Sequence, residues 1–233
     1  MSQRLLVVNA DDFGLSRGVN EGVIEAHTEG IVTSTSLMVL APAAEEAAAM
    51  AREHPGLAVG LHFVEDGSAD LDDPAQAARV FAWQLERFRE LIGADPTHID
   101  SHHHVHAEGE RMAVFTQLVS PLGVPLRQDG RVAYIGGFWA EWEPGVTELK
   151  YISREFLIEL VRREVGEGYT ELACHPARVT GDFRSSYHDE RAVELQTLIE
   201  PGLREEIEAL GVRLVSFREW PALASGAGRQ RQK

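Results

Sequence analysis

Cysteine is nearly absent from this sequence of 233 residues, which contains only Cys174. A single thiol cannot form an internal disulfide, and it cannot build a zinc site of the kind that uses several cysteines. A metal site in this chain would therefore have to use His, Asp and Glu side chains. Cys174 lies in an apolar stretch, which favours a buried, unreactive thiol over a nucleophile.

Long hydrophobic runs are also absent. No stretch reaches the roughly 18 consecutive apolar residues that indicate a membrane-spanning helix, so no such helix is expected. The apolar run after Arg4 is too short for a secretory signal and lacks a small-residue cleavage pattern. These absences predict a cytoplasmic protein that does not contact a membrane.

Positive charge is scarce, because 22 Lys and Arg stand against 37 Asp and Glu and the formal net charge is −15. A surface of this charge repels nucleic acids and anionic membranes and gains no counterion release from phosphates. Both are therefore excluded as expected partners. The length and the 44% apolar content are typical of one domain with a full core.

Short apolar segments alternate along the chain with segments of helical periodicity, starting with the run 5–8 and a helix that Ser16 would cap. This alternation indicates βαβ units, a parallel sheet and an α/β fold. Residues 134–150 fit neither pattern and are predicted to form a long functional loop. Residues 1–224 are expected to form a single domain, and the Gly-, Arg- and Gln-rich segment 225–233 a flexible tail. The other predicted strands are 31–40, 57–63, 97–100, 124–127, 169–174 and 212–216.

Two adjacent carboxylates, Asp11 and Asp12, follow the first predicted strand. Neighbouring side chains at a strand end point in different directions, so one could bind a metal while the other acts as a base. A loop or helix-cap pair is the alternative, because Asp is a frequent capping residue. His62 ends another predicted strand, where a hydrogen-bonded core histidine is the alternative to a ligand.

Histidine is unusually dense, because four of the ten histidines lie within residues 102–106, at the end of a predicted strand. If this segment is extended, His102, His104 and His106 share one face. If it is helical, His102 and His106 lie one turn apart. Either geometry brings imidazoles together, and imidazoles with carboxylates suit Zn²⁺ or a similar ion. Asp100 could orient one ligand by accepting its second ring N–H.

Three further residues are candidates on position alone. His175 ends a predicted strand and could act as a general acid, because its ordinary pKa lies near neutrality; a structural histidine is the alternative. Arg127 could anchor a carboxylate or orient a catalytic Asp, or it could form a surface salt bridge. Trp139, in the predicted long loop, could stack on a sugar ring or fill the core.

Four motifs together resemble those of the YdjC-like carbohydrate deacetylases, a family that includes the chitooligosaccharide deacetylases. The motifs are NADDFG at 9–14, GLHF at 60–63, THIDSHHHVH at 97–106 and ACHP at 173–176. The resemblance implies an α/β fold in which a single domain forms a distorted (β/α) TIM-like barrel with parallel strands. It also implies a metal ion at the strand ends.

The resemblance assigns roles to individual residues. It implies Asp12, His62 and His102 as metal ligands, Asp11 as the catalytic base and His175 as the acid. His106 could replace or supplement His102 as a ligand. Substrate contacts are expected from Arg127, His104, His106 and Trp139.

The function implied by the resemblance is metal-dependent removal of an acetyl group from an N-acetylated amino sugar or short oligosaccharide. It further implies one divalent ion, Mg²⁺ or Zn²⁺, and a homodimer. The stretch between His62 and His98 is shorter than in the chitooligosaccharide enzymes, which leaves the length of the substrate open.

Three other functions use the same residue types. A metal hydrolase acting on a phosphoester or a cyclic amide usually needs two metals or a bridging lysine, and Lys150 is the only internal lysine. An iron oxygenase binds its metal with two His and one carboxylate, but the parallel α/β pattern is unlike that class. A non-catalytic metal- or sugar-binding module would need neither Asp11 nor His175.

Overall fold

Strands and helices alternate along residues 3–143 and 145–220, which are the residues that the computed structural model describes. The strands are β1 (Arg4–Phe13), β2 (Ser34–Leu37), β3 (Ala58–Phe63), β4 (Ile99–Ser101), β5 (Ala133–Ile135), β6 (Glu141–Glu143), β7 (Val146–Thr147), β8 (Gly168–Cys174) and β9 (Val212–Leu214). The helices are α1 (Arg17–Thr28), α2 (Ala44–Glu53), α3 (Pro74–Ile92), α4 (Arg111–Val119), α5 (Arg154–Glu164), α6 (Asp189–Leu198) and α7 (Leu203–Ala209). The predicted tail 225–233 lies outside the described residues.

The main sheet is parallel and runs in the order β4-β3-β2-β1-β8-β5, with β9 paired to β1. Beyond β4, Leu126 forms a further parallel bridge with Ile99. Within the described residues no pairing joins Leu126 to β5, so the ring of strands is interrupted there. This arrangement confirms the predicted α/β fold, a distorted barrel of parallel strands in one domain.

Strand β1 lies at the centre of the sheet. One edge pairs with β8 from Arg4 to Ala10, while the other pairs with β9 at Arg4–Leu6 and with β2 from Asn9 onward. Its residues after Arg4 are all buried, as expected of a parallel strand covered on both faces. These neighbours extend β1 through Phe13, well beyond the predicted run 5–8.

The helix boundaries follow local signals in the sequence. The Ser16 hydroxyl accepts the Val19 N–H at the start of α1, which confirms the predicted cap.

The motif residues Gly60, in β3, and His98, just before β4, are in close contact. A Cβ on Gly60 would lie 2.5 Å from the His98 ring. Among the described residues, no helix is both long and apolar enough to span a bilayer.

Three predicted segments are shorter or more ordered than expected. The strand expected at 31–40 is limited to β2, and the one at 124–127 is reduced to the single bridge at Leu126. The long loop predicted at 134–150 contains the antiparallel pair β6 and β7. Strand β2 and the bridge at Leu126 depend on contacts with distant strands, which local composition does not encode, whereas β6 and β7 pair with each other.

Candidate active site

A cavity of about 640 Å³ opens at the C-terminal ends of β1, β3, β4 and β8. Strand ends supply Asp11, Asp12, His62 and His102 to its lining, and the segment after β5 supplies Trp139. Because all these strands are parallel, their carboxyl ends meet on one side of the sheet. This is the side on which barrel enzymes carry their catalytic groups.

Asp12, His62 and His102 converge on one point. The Oδ1 atom of Asp12 lies 3.3 Å from Nε2 of His62 and 3.1 Å from Nδ1 of His102. One potential ligand atom from each of the three residues lies within 4.8 Å of the other two. Asp12 and His62 are buried, whereas the His102 side chain is 31% exposed and faces the cavity.

The backbone at Asp12 turns its carboxylate away from that of Asp11. Asp12 has a φ of 67°, a left-handed conformation that is uncommon outside glycine. The pairing between β1 and β2 shifts register between Ala10 and Phe13, as at a β-bulge. The two adjacent carboxylates therefore have separate partners, as the sequence suggested.

Buried polar groups hold the His62 ring in place. Its Nδ1 atom lies 2.7 Å from Oδ1 of Asp100 and 3.1 Å from the Ser36 hydroxyl. The opposite nitrogen, Nε2, is buried and forms no well-aligned hydrogen bond among the described residues, although Oδ1 of Asp12 lies 3.3 Å away. A carboxylate behind a histidine whose other nitrogen is free is the usual arrangement around metal-binding histidines.

The charges around His62 also suit a cation. Burial opposes a charge on the ring, but Asp100 and Asp12 outweigh it and raise the pKa of His62 to about 10. A site that favours positive charge this strongly, with an orphaned imidazole nitrogen and a carboxylate oxygen, fits a divalent ion held by Asp12, His62 and His102.

A second possible ligand group, Asp11, His62 and Asp100, fits a metal less well. The Asp11 carboxylate binds the Arg127 guanidinium through both oxygens, each at 2.7 Å. One Asp100 oxygen contacts the same guanidinium at 2.8 Å and the other contacts His62. Both carboxylates are therefore already neutralised by protein cations.

Arg127 is a buried cation shared by three carboxylates. Besides Asp11 and Asp100, it contacts Oε1 of Glu171 at 2.6 Å. Burial favours protonation of Asp11, but Arg127 overcomes this and keeps the pKa of Asp11 below its ordinary value. For Glu171, burial dominates and raises the pKa to about 7. Asp11 is thus an oriented carboxylate that is ionised at neutral pH.

His175 lies on the other side of Asp11. Its Nε2 atom is 3.9 Å from Oδ2 of Asp11, and its ring is 4.9 Å from that of Trp139. Burial lowers the pKa of His175 to about 4, so its imidazole is neutral at neutral pH. The site therefore combines an ionised carboxylate and a neutral histidine beside the candidate metal ligands.

Comparison with known proteins identifies the family. The family model described as YdjC-like protein matches residues 5–67 and 66–209. The chain belongs to the YdjC-like family. It is 37% identical to a carbohydrate deacetylase of Geobacillus stearothermophilus over 248 residues, covering 93% of this chain and 98% of that protein. It is also 37% identical to a chitooligosaccharide deacetylase of Enterobacter sp. (strain 638) over 250 residues, covering 92% and 98% of the two.

A solved structure has a similar fold. It is that of an Enterococcus faecalis V583 protein for which cleavage of cellobiose-phosphate has been suggested. The two chains are 26% identical and superpose with a TM-score of 0.78, covering 94% of this chain and 99% of that one.

The histidine-rich segment of this YdjC-like chain is neither extended nor a regular α-helix, but a short 3-10 segment that is kinked. Residues His102–Ala107 form a tight turn in which His103 and His104 are left-handed. His102 and His104 line the cavity. His106 instead turns into the core, where its Nδ1 meets the Ser101 hydroxyl and its Nε2 the Arg127 carbonyl. His106 is therefore placed neither as a second ligand nor as a substrate contact.

Of the other two candidates for substrate contacts, one lines the cavity and one is buried behind it. Trp139 lines the cavity, as expected of a residue that could meet a sugar. Arg127 lies behind Asp11 with its side chain fully buried, so it orients the carboxylate and does not reach a ligand in the cavity. This position matches the predicted role of orienting a catalytic Asp and does not match a surface salt bridge.

Helix α6 of the YdjC-like chain supplies site residues that the sequence analysis missed. Nη2 of Arg191 lies 2.6 Å from Oδ2 of Asp12, opposite the oxygen that faces His62. Burial favours protonation of Asp12, but Arg191 holds the pKa of this carboxyl well below its usual range. Glu194, one turn later, accepts the backbone N–H of His175 at 2.5 Å. The sequence offers one signal for Arg191 and Glu194, which is that charged residues lie on the buried face of a helix. That signal can be used only when the buried face is known.

Proposed function

We propose that the chain is a metal-dependent carbohydrate N-deacetylase that removes an acetyl group from an N-acetylated amino sugar or short oligosaccharide. The observation that carries the proposal is the convergence of Asp12, His62 and His102 beside Asp11 and His175 in one cavity. The related proteins named carbohydrate deacetylase and chitooligosaccharide deacetylase support the choice of reaction.

Asp12, His62 and His102 would hold the ion. When bound, a divalent ion lowers the pKa of a coordinated water and polarises the carbonyl of the substrate. Asp11 is oriented by Arg127 and ionised at neutral pH, so it can accept the proton of the attacking water. Arg191 engages the outer oxygen of Asp12 and leaves Oδ1 directed at the two histidines.

His175 is proposed as the donor to the departing amine. Amide cleavage requires protonation of the nitrogen, because an amine anion is a poor leaving group. His175 is neutral at rest, so it must first gain a proton during the reaction. Asp11, 3.9 Å from its Nε2, is the nearest acidic side chain to it among those that line the cavity and can relay the proton taken from the water.

The walls of the cavity suit a sugar. Trp139 offers an aromatic surface next to His175, and Tyr134, Phe138 and Tyr187 extend that surface. Aromatic rings pack against the apolar face of a pyranose, while the polar strand ends meet its hydroxyl and acetamide groups. An N-acetylated amino sugar whose acetamide lies toward Asp11 would match both the aromatic wall and the polar strand ends.

The test is acetate release from N-acetylglucosamine and its oligomers of two to six units. We expect release that stops with a chelator and returns when Zn²⁺, Co²⁺, Mn²⁺ or Mg²⁺ is added, with one ion bound per chain. H62A should lose both the ion and the activity, whereas H54A, far from the cavity, should keep both. Acetate release that is unaffected by chelation, or none from any of these sugars, contradicts the proposal.

Two expectations stay predictions: the homodimer implied by the family resemblance, and the cytoplasmic location inferred from the lack of long hydrophobic runs. A homodimer can be checked by sedimentation of the purified chain, and a cytoplasmic location by cell fractionation. Which divalent ion is used in the cell is likewise open to metal analysis of protein purified without added metal.

A further inference from the structure

Glu194 is a buried carboxylate with two hydrogen-bond donors. One oxygen accepts the backbone N–H of His175 at 2.5 Å, and the other accepts the hydroxyl of Tyr187 at 2.5 Å. The side chain is completely buried. Burying a carboxylate is costly unless its partners are well placed, and apolar residues such as Leu195 and Leu198 would anchor α6 without that cost.

Tyr187 continues the network to the segment after β5 that carries Trp139. Its hydroxyl oxygen accepts the backbone N–H of Ala140 at 3.2 Å. Its ring stacks on that of Trp139, with centroids 3.6 Å apart and planes 12° from parallel. A continuous path therefore links the His175 backbone, Glu194, Tyr187 and the Trp139 ring.

We propose that Glu194 and Tyr187 are positioning residues that fix the proton donor His175 and the sugar-stacking Trp139 relative to each other. The inference rests on the proposed function, because it concerns how that reaction is oriented. A single network that holds both groups fixes the distance between the bound sugar ring and the imidazole. A displacement of about 1 Å in such a geometry is enough to reduce turnover about 100-fold.

The experiment compares E194A, E194Q, Y187F and the double variant E194A/Y187F in steady-state deacetylation. E194A should lower kcat by about 10- to 100-fold with little change in KM, because the backbone of the proton donor loses its anchor. Y187F should lower kcat and also raise KM, because the hydroxyl supports the Trp139 segment. E194Q keeps one oxygen for the His175 N–H and should retain clearly more kcat than E194A.

The double variant separates a shared network from two independent effects. If both residues act through one set of hydrogen bonds, the kcat of E194A/Y187F should be only slightly lower than that of the less active single variant. Y169F is the matched control, because the buried Tyr169 hydroxyl has no hydrogen-bond partner in the described part of the chain and lies at the far end of β8. It should leave kcat and KM unchanged.

Two measurements guard against misfolding and loss of metal. The free energy of unfolding identifies a variant that fails to fold. If E194A does not fold, Y187F still tests the network, because it removes only a hydroxyl and keeps the ring. Zn²⁺ affinity should stay within about threefold of the parent, since neither residue touches Asp12, His62 or His102. Single variants with parental kcat and KM, or effects that multiply in the double variant, overturn the inference. An inactive parent chain would instead refute the proposed function.

Discussion

The carboxylates of Asp11 and Asp12 face different cations although the two residues are adjacent in the chain. Arg127 binds both oxygens of Asp11, while Arg191 binds one oxygen of Asp12 and leaves the other facing His62. A carboxylate with both oxygens engaged by a guanidinium is a poor metal ligand but a well-oriented base. The environment of each side chain therefore separates their roles.

Replacing Asp11 by Asn tests its role as the base. D11N should keep the ion but lower kcat by about 100-fold or more, the scale expected when a general base is removed. Metal content and acetate release measured on the same preparation distinguish the two effects. D12N is the contrasting variant, because it should weaken metal binding itself. Near-parental turnover by D11N would exclude the assigned role.

Replacing Arg127 by Met tests the buried charge cluster. R127M leaves Asp11, Asp100 and Glu171 buried without their shared cation, so the free energy of unfolding should fall by about 3–5 kcal/mol. Urea unfolding at pH 7 measures the loss. R163M is the control, because Arg163 forms only exposed ion pairs and should change the stability by less than about 1 kcal/mol. Equal losses in the two variants would show that Arg127 does not stabilise the buried carboxylates.

At the scale of elements, the sequence was informative where a signal is local. Apolar runs followed by polar clusters predicted the strands and placed Asp11, Asp12, His62 and His175 at their ends. The position of His106 could not be predicted, because it depends on left-handed backbone at two residues before it. The orientation of α6 could not be predicted either, because it is set by docking against distant strand ends.

Helix α1 offers a test of how closely elements approach behind the site. A Cβ on Gly22 would lie 2.5 Å from Cα of Ala177, two residues after His175. Gly-to-Ala in an open helix position usually stabilises by up to about 1 kcal/mol. Here the backbone must move, so G22A should destabilise the protein by about 1–3 kcal/mol.

The same G22A variant should also lose activity, because the segment that carries His175 is displaced. Thermal unfolding and acetate release measure the two effects. T28A, at the exposed end of α1, is the matched control and should change neither. A G22A protein as stable and active as the parent would show that the contact is not tight in solution.

At the scale of the whole molecule, buried titratable groups make stability depend on pH. Burial lowers the pKa of His98, His106 and His175 to about 4, so their contribution to stability is complete above pH 6.5 and is lost as the pH falls through 4. Burial raises the pKa of Glu171 and Glu194 to about 7, so their contribution is lost as the pH rises from 4.5 through 7.

Between pH 4.5 and 6.5 these three histidines outweigh the two glutamates, and His27, His103 and His104, whose pKa values burial also lowers, act in the same direction. The free energy of unfolding of the metal-free protein should therefore rise by about 1–3 kcal/mol across this window, at about 1.4 kcal/mol per pH unit for each proton. Urea unfolding at several pH values measures the slope. H175Q removes one of these histidines and should make the slope smaller than that of the parent protein. Stability that declines with pH in the parent protein would contradict this balance.

The central place of β1 affects how the protein can be synthesised. Its partners β8 and β9 begin more than 160 residues later in the chain, so a nascent polypeptide carries one edge of its first strand unpaired for most of translation. Pairings of such long sequence separation form slowly, and an open apolar edge invites association between incomplete chains. Truncation anywhere before Gly168 therefore exposes an aggregation-prone strand. Chains stalled on the ribosome in that interval need chaperones to prevent their association.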